Sequence, residues 1–107
     1  MLFRVFVACV LATLMMSTTA LAFPTTYYGV GDGYSGGITA SGDVMDPSAF
    51  TAAHPYLPMG TVLTVCWEGC ADVVVNDVGS TLDVTPAVAN AIGMMDEGIV
   101  DAEVIVH

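Results

Sequence analysis

The chain has almost no positive charge. Of its 107 residues only Arg4 is basic, against eleven Asp and Glu, which gives a formal net charge of −10. Proteins that bind nucleic acid neutralise phosphates with Lys and Arg, so this class is excluded, and anionic membrane surfaces are disfavoured for the same reason. A chain of this length is expected to form a single domain.

The amino-terminal residues 1–22 have the pattern of a secretory signal peptide. A charged residue precedes a largely apolar run (residues 5–16), and a polar stretch then leads to an Ala20-x-Ala22 processing site. The run is too short for a membrane span, which needs about 20 apolar residues. We therefore expect a secreted or periplasmic protein that is cleaved near Ala22 and has no stable membrane anchor in its mature form. The mature part, residues 23–107, holds all eleven acids and neither Lys nor Arg.

Cysteine is also scarce, with three residues in the chain. Cys9 lies inside the apolar run rather than at its end, which disfavours a lipid anchor, and it would leave with the signal peptide. Cys66 and Cys70 form an even pair in an exported chain, so we predict one disulfide between them. Zinc needs three or four ligands, and only His54 and His107 could join the pair, so no metal site is predicted.

No cofactor is expected from the glycine-rich segment, residues 29–42. It holds six of the eleven glycines and is predicted to be a loop. Gly31-Asp-Gly-Tyr-Ser-Gly36 matches the dinucleotide-binding fingerprint, but neither a helix nor a βαβ unit follows. The carboxylates are scattered and do not form a calcium-binding loop.

The remaining pattern predicts short strands and one helix. Strands are expected at 25–30, 51–54, 82–84 and 98–106, together with a hairpin of 61–67 and 71–77. Alternation in the last strand predicts that Val100, Ala102, Val104 and Val106 share one buried face. Gly69 in the hairpin turn is expected to be left-handed. Thr85 and Pro86 should begin the helix and Gly93 should end it. Many short strands with one helix favour a small closed barrel.

Several blocks of the sequence closely resemble the rare lipoprotein A (RlpA) family. They are Tyr27-Tyr28-Gly29, Thr39-Ala-Ser-Gly-Asp43-Val-Met-Asp46, Phe50-Thr-Ala-Ala-His54, Leu57-Pro-Met-Gly-Thr61, Val73-Val-Val-Asn76-Asp77-Val-Gly79 and Leu82-Asp83-Val84-Thr85. They follow one another in order and cover nearly all of the mature chain. The resemblance implies a mainly β fold for residues 23–107, a small six-stranded double-psi β-barrel with one short helix.

The resemblance also implies a function at the cell wall. Members of the family are lytic transglycosylases that cleave peptidoglycan glycan strands and leave a 1,6-anhydro end. The expected partner is therefore peptidoglycan or another wall polysaccharide. Related expansin-like barrels bind or loosen wall polymers without demonstrable hydrolysis. The alternative function is accordingly a non-catalytic barrel that binds wall polysaccharide or another exported protein.

Three candidate catalytic residues follow from the same resemblance: Asp43, His54 and Asp77. We expect Asp77 to be the acid/base because it directly follows a strand, and Asp43 to be its loop-borne electrostatic partner. His54 is expected to orient one carboxylate or to bind the sugar. The structural alternatives are that Asp43 binds amides of the glycine loop, that Asp77 caps a turn and that His54 is a core residue.

The chain departs from the family pattern around these residues. The family usually has Glu where this chain has Asp43, and the Arg and Pro of its Asn-Asp-Arg-Gly-Pro motif are replaced by Val78 and Ser80. The loop that leads to the Leu82-Asp-Val84 strand is also short. Three aromatic residues, Tyr28, Tyr34 and Trp67, are candidates for stacking on sugar rings, with packing in the barrel as the alternative.

Overall fold

A computed structural model describes residues 20–107 of the chain. Its strands are β1 (Leu21–Tyr27), β2 (Thr51–Ala53), β3 (Val62–Cys66), β4 (Cys70–Asp77), β5 (Leu82–Val84) and β6 (Ile99–Val106), and helix α1 (Pro86–Ile92) lies between the last two. The strands close into a barrel in the order β1-β5-β2-β4-β3-β6. This confirms the prediction of a six-stranded barrel with one short helix.

The pairing within the barrel mixes two directions. β1 pairs in parallel with β5, and β2 pairs in parallel with β4, whereas the other four neighbours are antiparallel. Parallel neighbours cannot be joined by a tight hairpin turn, and the chain accordingly passes through β2, β3 and β4 between β1 and β5, and through β3 between β2 and β4. Because the sheet closes on itself, it has no unpaired edge strand.

Alternating side chains of the strands fill the interior of the barrel. Leu63, Val65, Val73 and Val75 of the hairpin are all but fully buried, as are Val88 and Ile92 on one side of the helix. In β6, Val100, Ala102 and Val104 are buried as the alternation predicts. Val106 is 52 % exposed, contrary to prediction, because the strand runs past the core at this end of the barrel.

The ends of helix α1 agree with the sequence prediction. The Thr85 hydroxyl accepts a hydrogen bond from the amide of Val88 (3.4 Å) and donates one to the carbonyl of Ala49 (2.6 Å). Pro86 occupies the first turn, and Gly93 ends the helix in the left-handed conformation with φ 83°. Thr85 thus caps the helix and also attaches it to the segment before β2.

The tip of the hairpin confirms one prediction and corrects another. The disulfide between Cys66 and Cys70 is present. Gly69 is not left-handed, so close packing and not backbone conformation explains why glycine occupies this position. A Cβ atom at this position would lie 2.9 Å from the carbonyl oxygen of Ala91, because the amides of Glu68 and Gly69 both donate to the carbonyl of Ile92. The hairpin tip therefore rests on the end of helix α1.

Removing the disulfide should have a modest effect on stability. Replacing Cys66 and Cys70 together with serine is expected to lower the free energy of unfolding by about 1–2 kcal/mol, because the cysteines are only four positions apart and the loop they close is short. Urea denaturation followed by the fluorescence of Trp67 measures the change. The reduced wild-type protein is the control and should match the double variant. A loss of the cooperative transition would contradict this expectation.

The predicted signal peptide lies mostly outside the described residues, which begin at residue 20. Strand β1 already includes Leu21 and Ala22, which pair with Val104 and Glu103. Cleavage after Ala22 would shorten this pairing and leave the partners of Phe23 onward in place. No helix within residues 20–107 is long and apolar enough to cross a membrane.

Candidate active site

The strand register places the carboxylates of Asp77 and Asp83 in one row of directly paired residues, which runs across the four neighbouring strands β1, β5, β2 and β4. Thr26 of β1 pairs with Asp83 of β5, Asp83 pairs with Ala53 of β2, and Ala53 pairs with Asp77 of β4. Side chains of directly paired residues project from the same face of a sheet. Asp77 and Asp83 therefore flank Ala53, whose small side chain leaves room between them.

A cleft of about 190 Å³ occupies this space. We call it the carboxylate cleft; Asp77 and Asp83 line it, together with Ala53, Tyr28, Tyr34 and residues 78–80. Of the three catalytic residues expected from the sequence, only Asp77 lines the cleft. Asp83 also lines the cleft. It belongs to the Leu82-Asp83-Val84-Thr85 block that resembles the RlpA family, but the resemblance predicted no catalytic role for it.

Asp77 is held in place at both carboxylate oxygens. Its Oδ1 accepts hydrogen bonds from the amides of Ala40 and Val78, both at 2.9 Å. Its Oδ2 accepts a longer hydrogen bond of 3.4 Å from the hydroxyl of Tyr28. Burial, and secondarily the charge of Asp77, raises the pKa of Tyr28 well above its ordinary value, so the phenol stays a proton donor toward this carboxylate.

The environment of Asp83 favours the protonated form of its carboxyl group. Burial raises its pKa, and the neighbouring charges of Asp32 and Asp77 act in the same direction. The hydrogen bond of 2.8 Å that the Thr26 hydroxyl donates to Oδ1 of Asp83 opposes this shift. Residues 20–107 contain neither Lys nor Arg that could stabilise the ionised form.

This environment predicts a stabilising substitution. The pKa of Asp83 is raised in the folded chain above the ordinary 3.8, so the folded state binds more protons than the unfolded state between the two values. The free energy of unfolding must therefore fall as pH rises through this window. Asp83→Asn keeps the acceptor for Thr26 and removes the charge, so it should raise the free energy of unfolding at pH 7 and change it little below about pH 3.5.

Urea denaturation at the two pH values tests the prediction. Asp96→Asn is the matched control, because Asp96 is exposed and outside the cleft. It should show no comparable gain at pH 7. A destabilised Asp83→Asn protein at pH 7 would contradict the assignment of Asp83 as a desolvated carboxyl.

Asp43 lies beside this cleft rather than in it. It is exposed on the loop before β2, and its Oδ2 accepts a hydrogen bond of 3.3 Å from Nδ2 of Asn76. The amide of Ser41 also donates to the carbonyl of Asn76, at 3.1 Å. Together with the bond from Ala40 to Asp77, these contacts fasten the 40–43 loop to the end of β4. The side chain of Asp43 is thus hydrogen-bonded to Asn76, the neighbour of Asp77, and not to Asp77 itself.

His54 points elsewhere. Its side chain is 3 % exposed, and its Nδ1 accepts hydrogen bonds from the amides of Tyr56 and Leu57, both at 3.2 Å. The ring packs against Phe23, with centroids 5.2 Å apart, and against Tyr56 at 4.7 Å. Burial lowers its pKa, which favours the neutral imidazole. Among residues 20–107 no hydrogen bond joins the ring to Asp43 or Asp77, and it lines a separate groove.

The three candidate aromatic residues fall into two places. Tyr28 is buried and Tyr34 is 60 % exposed, and their rings meet edge to face in the wall of the carboxylate cleft, with centroids 5.8 Å apart. Trp67 lies at the hairpin tip, half-exposed, in another cleft with Glu97 and Asp101. The structure therefore places two of the three beside the carboxylates.

The chemistry of the carboxylate cleft is that of an acid/base pair. One carboxyl group is desolvated and the other is held by amide donors, which is the kind of difference that separates the roles of two carboxylates in glycosidic-bond cleavage. Residues 20–107 contain no group of three or more His, Cys, Asp or Glu placed to hold a metal ion. Acid/base catalysis by the two carboxyl groups is a chemistry that this cleft can supply.

The closed barrel with its two parallel pairs belongs to the double-psi β-barrel class. A solved structure of this kind, the Streptomyces papain inhibitor, superimposes with a TM-score of 0.64 at 20 % identity, over 82 % of this chain and 93 % of that one. This likeness establishes the fold alone.

Sequence comparison then gives the family. Residues 21–104 match the family described as lytic transglycolase, and the chain belongs to that family, as an RlpA-like double-psi β-barrel protein. It is 38 % identical over 82 residues to "Probable endolytic peptidoglycan transglycosylase RlpA" of Nostoc sp. strain PCC 7120, and 39 % identical over 90 residues to the protein of the same name from Treponema pallidum strain Nichols. The matches cover 69 % and 77 % of this chain but only 22 % and 27 % of the relatives.

Proposed function

We propose that this barrel is an exported peptidoglycan lytic transglycosylase, which cleaves glycan strands and leaves 1,6-anhydro ends. The observation that carries the proposal is the shared cleft of Asp77 and Asp83, in which the two carboxyl groups have different environments. The names of the two relatives support peptidoglycan as the substrate. Because the chain spans about a quarter of their length, the cleft itself must supply the catalytic argument.

In the proposed mechanism Asp83 is the acid and then the base, in place of Asp77 as expected from the sequence, because burial raises the pKa of Asp83. It donates its proton to the glycosidic oxygen as the bond from C1 to that oxygen breaks. The 6-hydroxyl of the same sugar attacks C1 and forms the anhydro bridge, and its proton returns to Asp83. No water is consumed, and the enzyme ends in its starting protonation state.

Asp77 supports the positive charge that develops on the sugar. The amides of Ala40 and Val78 hold its Oδ1, so the carboxylate is already oriented before the reaction begins. The Tyr28 hydroxyl on Oδ2 restricts it further. Tyr34, exposed beside Tyr28, offers a face on which a neighbouring sugar ring can stack. Asp43 is assigned a supporting role through Asn76.

The test is incubation of the purified protein with isolated glycan strands, followed by mass spectrometry of the released fragments. Fragments with anhydro ends and no added water are expected. Fragments with reducing ends would identify a hydrolase, and the absence of any release would contradict the proposed activity.

A second candidate function is non-catalytic binding of wall polysaccharide. The half-exposed Trp67 favours it, because this residue lies at the disulfide-closed hairpin tip, in a different cleft from Asp77 and Asp83. Val78, which stands where the family usually has Arg, favours it as well. This function predicts sedimentation with insoluble cell wall without any release of fragments.

A further inference from the structure

The hydrogen-bonding side chains in the wall of the carboxylate cleft are mostly acceptors. Asp77 and Asp83 contribute carboxyl groups, and the wall contains neither Lys nor Arg. Three donors of the wall already donate within the protein: the hydroxyl of Tyr28 and the amide of Val78 to Asp77, and the amide of Gly79 to the carbonyl of His54. Beyond Asp83 in its protonated form, the remaining side-chain donors are the hydroxyls of Tyr34 and Ser80. A ligand rich in donors therefore fits this cleft better than one rich in acceptors.

A third carboxylate, that of Asp32, lies beside the cleft. Its Oδ2 accepts a hydrogen bond of 2.8 Å from the amide of Gly29, and its Oδ1 accepts one of 3.1 Å from the amide of Tyr34, which lines the cleft. These amide bonds lower the pKa of Asp32, and the charge of Asp32 contributes in turn to the raised pKa of Asp83. Because Asp32 is exposed, its ionised carboxylate is open to a ligand that enters the cleft.

Val78 gives the cleft an apolar side chain at a position where the RlpA family usually has arginine. It directly follows Asp77, lines the cleft and is 59 % exposed. An anionic group that enters the cleft is therefore repelled by Asp32 and Asp77 without a neighbouring Lys or Arg to offset the repulsion. A cationic group is attracted by the same two carboxylates.

We propose that the carboxylate cleft selects glycan strands by charge and prefers segments with de-N-acetylated amino sugars, whose free ammonium group is bound by Asp32. The proposal rests on the proposed function and names the strand chemistry that the same cleft takes. An ammonium group brings three donors and a positive charge, whereas an acetamido carbonyl would add one more acceptor to a wall that has few donors left. Val78 is then a specificity-determining residue, because its apolar side chain leaves the negative charge of the cleft uncompensated. An ammonium group at Asp32 does not relieve the burial of Asp83, which is the largest cause of its raised pKa.

Binding can be measured separately from turnover with the Asp83→Asn protein, which cannot transfer a proton. It is titrated calorimetrically with chitotetraose and with the fully de-N-acetylated glucosamine tetramer, at about pH 5, where amino groups are protonated. We expect the glucosamine tetramer to bind about three- to tenfold more tightly, and the preference to shrink as salt is added. Equal affinities, tighter binding of chitotetraose, or no detectable binding of either sugar would overturn the proposal.

A pair of substitutions in the same background tests the role of Asp32. Asp32→Asn removes the charge and should reduce the preference about two- to fivefold. Asp46→Asn is the matched control, because Asp46 is also exposed, its Oδ1 accepts a hydrogen bond of 2.9 Å from the amide of Ser48, and it does not line the cleft. This control should leave the preference unchanged.

A second pair tests the role of Val78. Val78→Arg places a cation in the cleft wall and should abolish or reverse the preference for the glucosamine tetramer. Val106→Arg makes the same change on a valine that is 52 % exposed and lies on β6, which pairs with β1 and β3 and is not part of the cleft. It should retain the preference. Equal effects within either pair would attribute the preference to the overall charge of the protein and contradict the proposal.

Cleavage of glycan strands before and after de-N-acetylation separates this proposal from the proposed function. If the wild-type protein cleaves neither strand but the glucosamine tetramer binds more tightly and Asp32→Asn removes that preference, the transglycosylase function fails and the charge selection stands. If both strands are cleaved with equal kcat/KM and the two tetramers bind equally, the charge selection fails alone.

Discussion

Replacing Asp83 with asparagine is expected to lower the rate of glycan-strand cleavage by about 10²–10⁴-fold, the usual contribution of a general acid/base. Asparagine retains the shape of the side chain and the acceptor for Thr26, whose hydroxyl lies 2.8 Å from Oδ1 of Asp83. It cannot give a proton to the glycosidic oxygen or take one from the 6-hydroxyl. Release of anhydro-ended fragments at saturating substrate measures the effect.

Two comparisons show whether this loss is chemical. Asp96→Asn makes the same change on an exposed residue and should retain wild-type activity. Asp83→Asn should also be more stable than the wild type at pH 7, so unfolding cannot explain its inactivity. Because burial raises the pKa of Asp83, wild-type cleavage should fall as pH rises through that raised value. An Asp83→Asn protein with activity within tenfold of wild type would refute the acid/base assignment.

Local sequence patterns predicted most of the strands and the helix, whereas the six-stranded double-psi barrel was implied by the resemblance to the RlpA family. Two-residue alternation located the last strand, and the Thr85-Pro86 and Gly93 signals located the helix ends. The prediction of a left-handed Gly69 was wrong because glycine is required there by the close approach of the carbonyl oxygen of Ala91. This contact joins segments that are distant in sequence, so a rule based on the turn alone cannot predict it. The prediction that Val106 is buried was wrong because alternation predicts on which face of the sheet a side chain lies, but not how far along the strand the hydrophobic core extends.

The candidate site was only partly predictable from the sequence, because it also depends on contacts between segments that are far apart in the chain. Asp77 could be found because it ends a strand inside a family block. Asp83 reaches the same cleft through the pairing of β1 with β5 and of β5 with β2, which are contacts between segments far apart in the chain. A polar residue between the buried Leu82 and Val84 was the available signal, since alternation turns it to the opposite face.

The absence of Lys and Arg from residues 20–107 affects the pKa of Asp83. In residues 20–107 a desolvated carboxyl group has neither Lys nor Arg to favour its ionised form, so burial and then the neighbouring acids raise the pKa of Asp83, against the opposing hydrogen bond from Thr26. An arginine in place of Val78, which lines the same cleft, would oppose that effect. The acidic composition thus acts in the direction that the proposed role of Asp83 as an acid requires.

Asp77 and Asp43 should respond very differently to the same substitution. Asp77→Asn is expected to reduce cleavage by about 10²–10³-fold, because it removes the carboxylate that faces the developing positive charge. Asp43→Asn should reduce it less than about tenfold, because Asp43 is exposed, does not line the cleft and is hydrogen-bonded to Asn76 instead of Asp77. Single-turnover cleavage of glycan strands by the two variants gives the comparison directly.

The result decides between the arrangement expected from sequence and the one built by the barrel. If Asp43→Asn is as inactive as Asp77→Asn, then Asp43 is a member of the catalytic pair and the loop 40–43 must move over the cleft during the reaction. Asp43→Ala separates the remaining roles, because it also removes the acceptor for Asn76. If Asp43→Ala loses activity and Asp43→Asn keeps it, then Asp43 is a positioning residue. It would act by accepting the hydrogen bond from Asn76 that helps to fasten the 40–43 loop to β4.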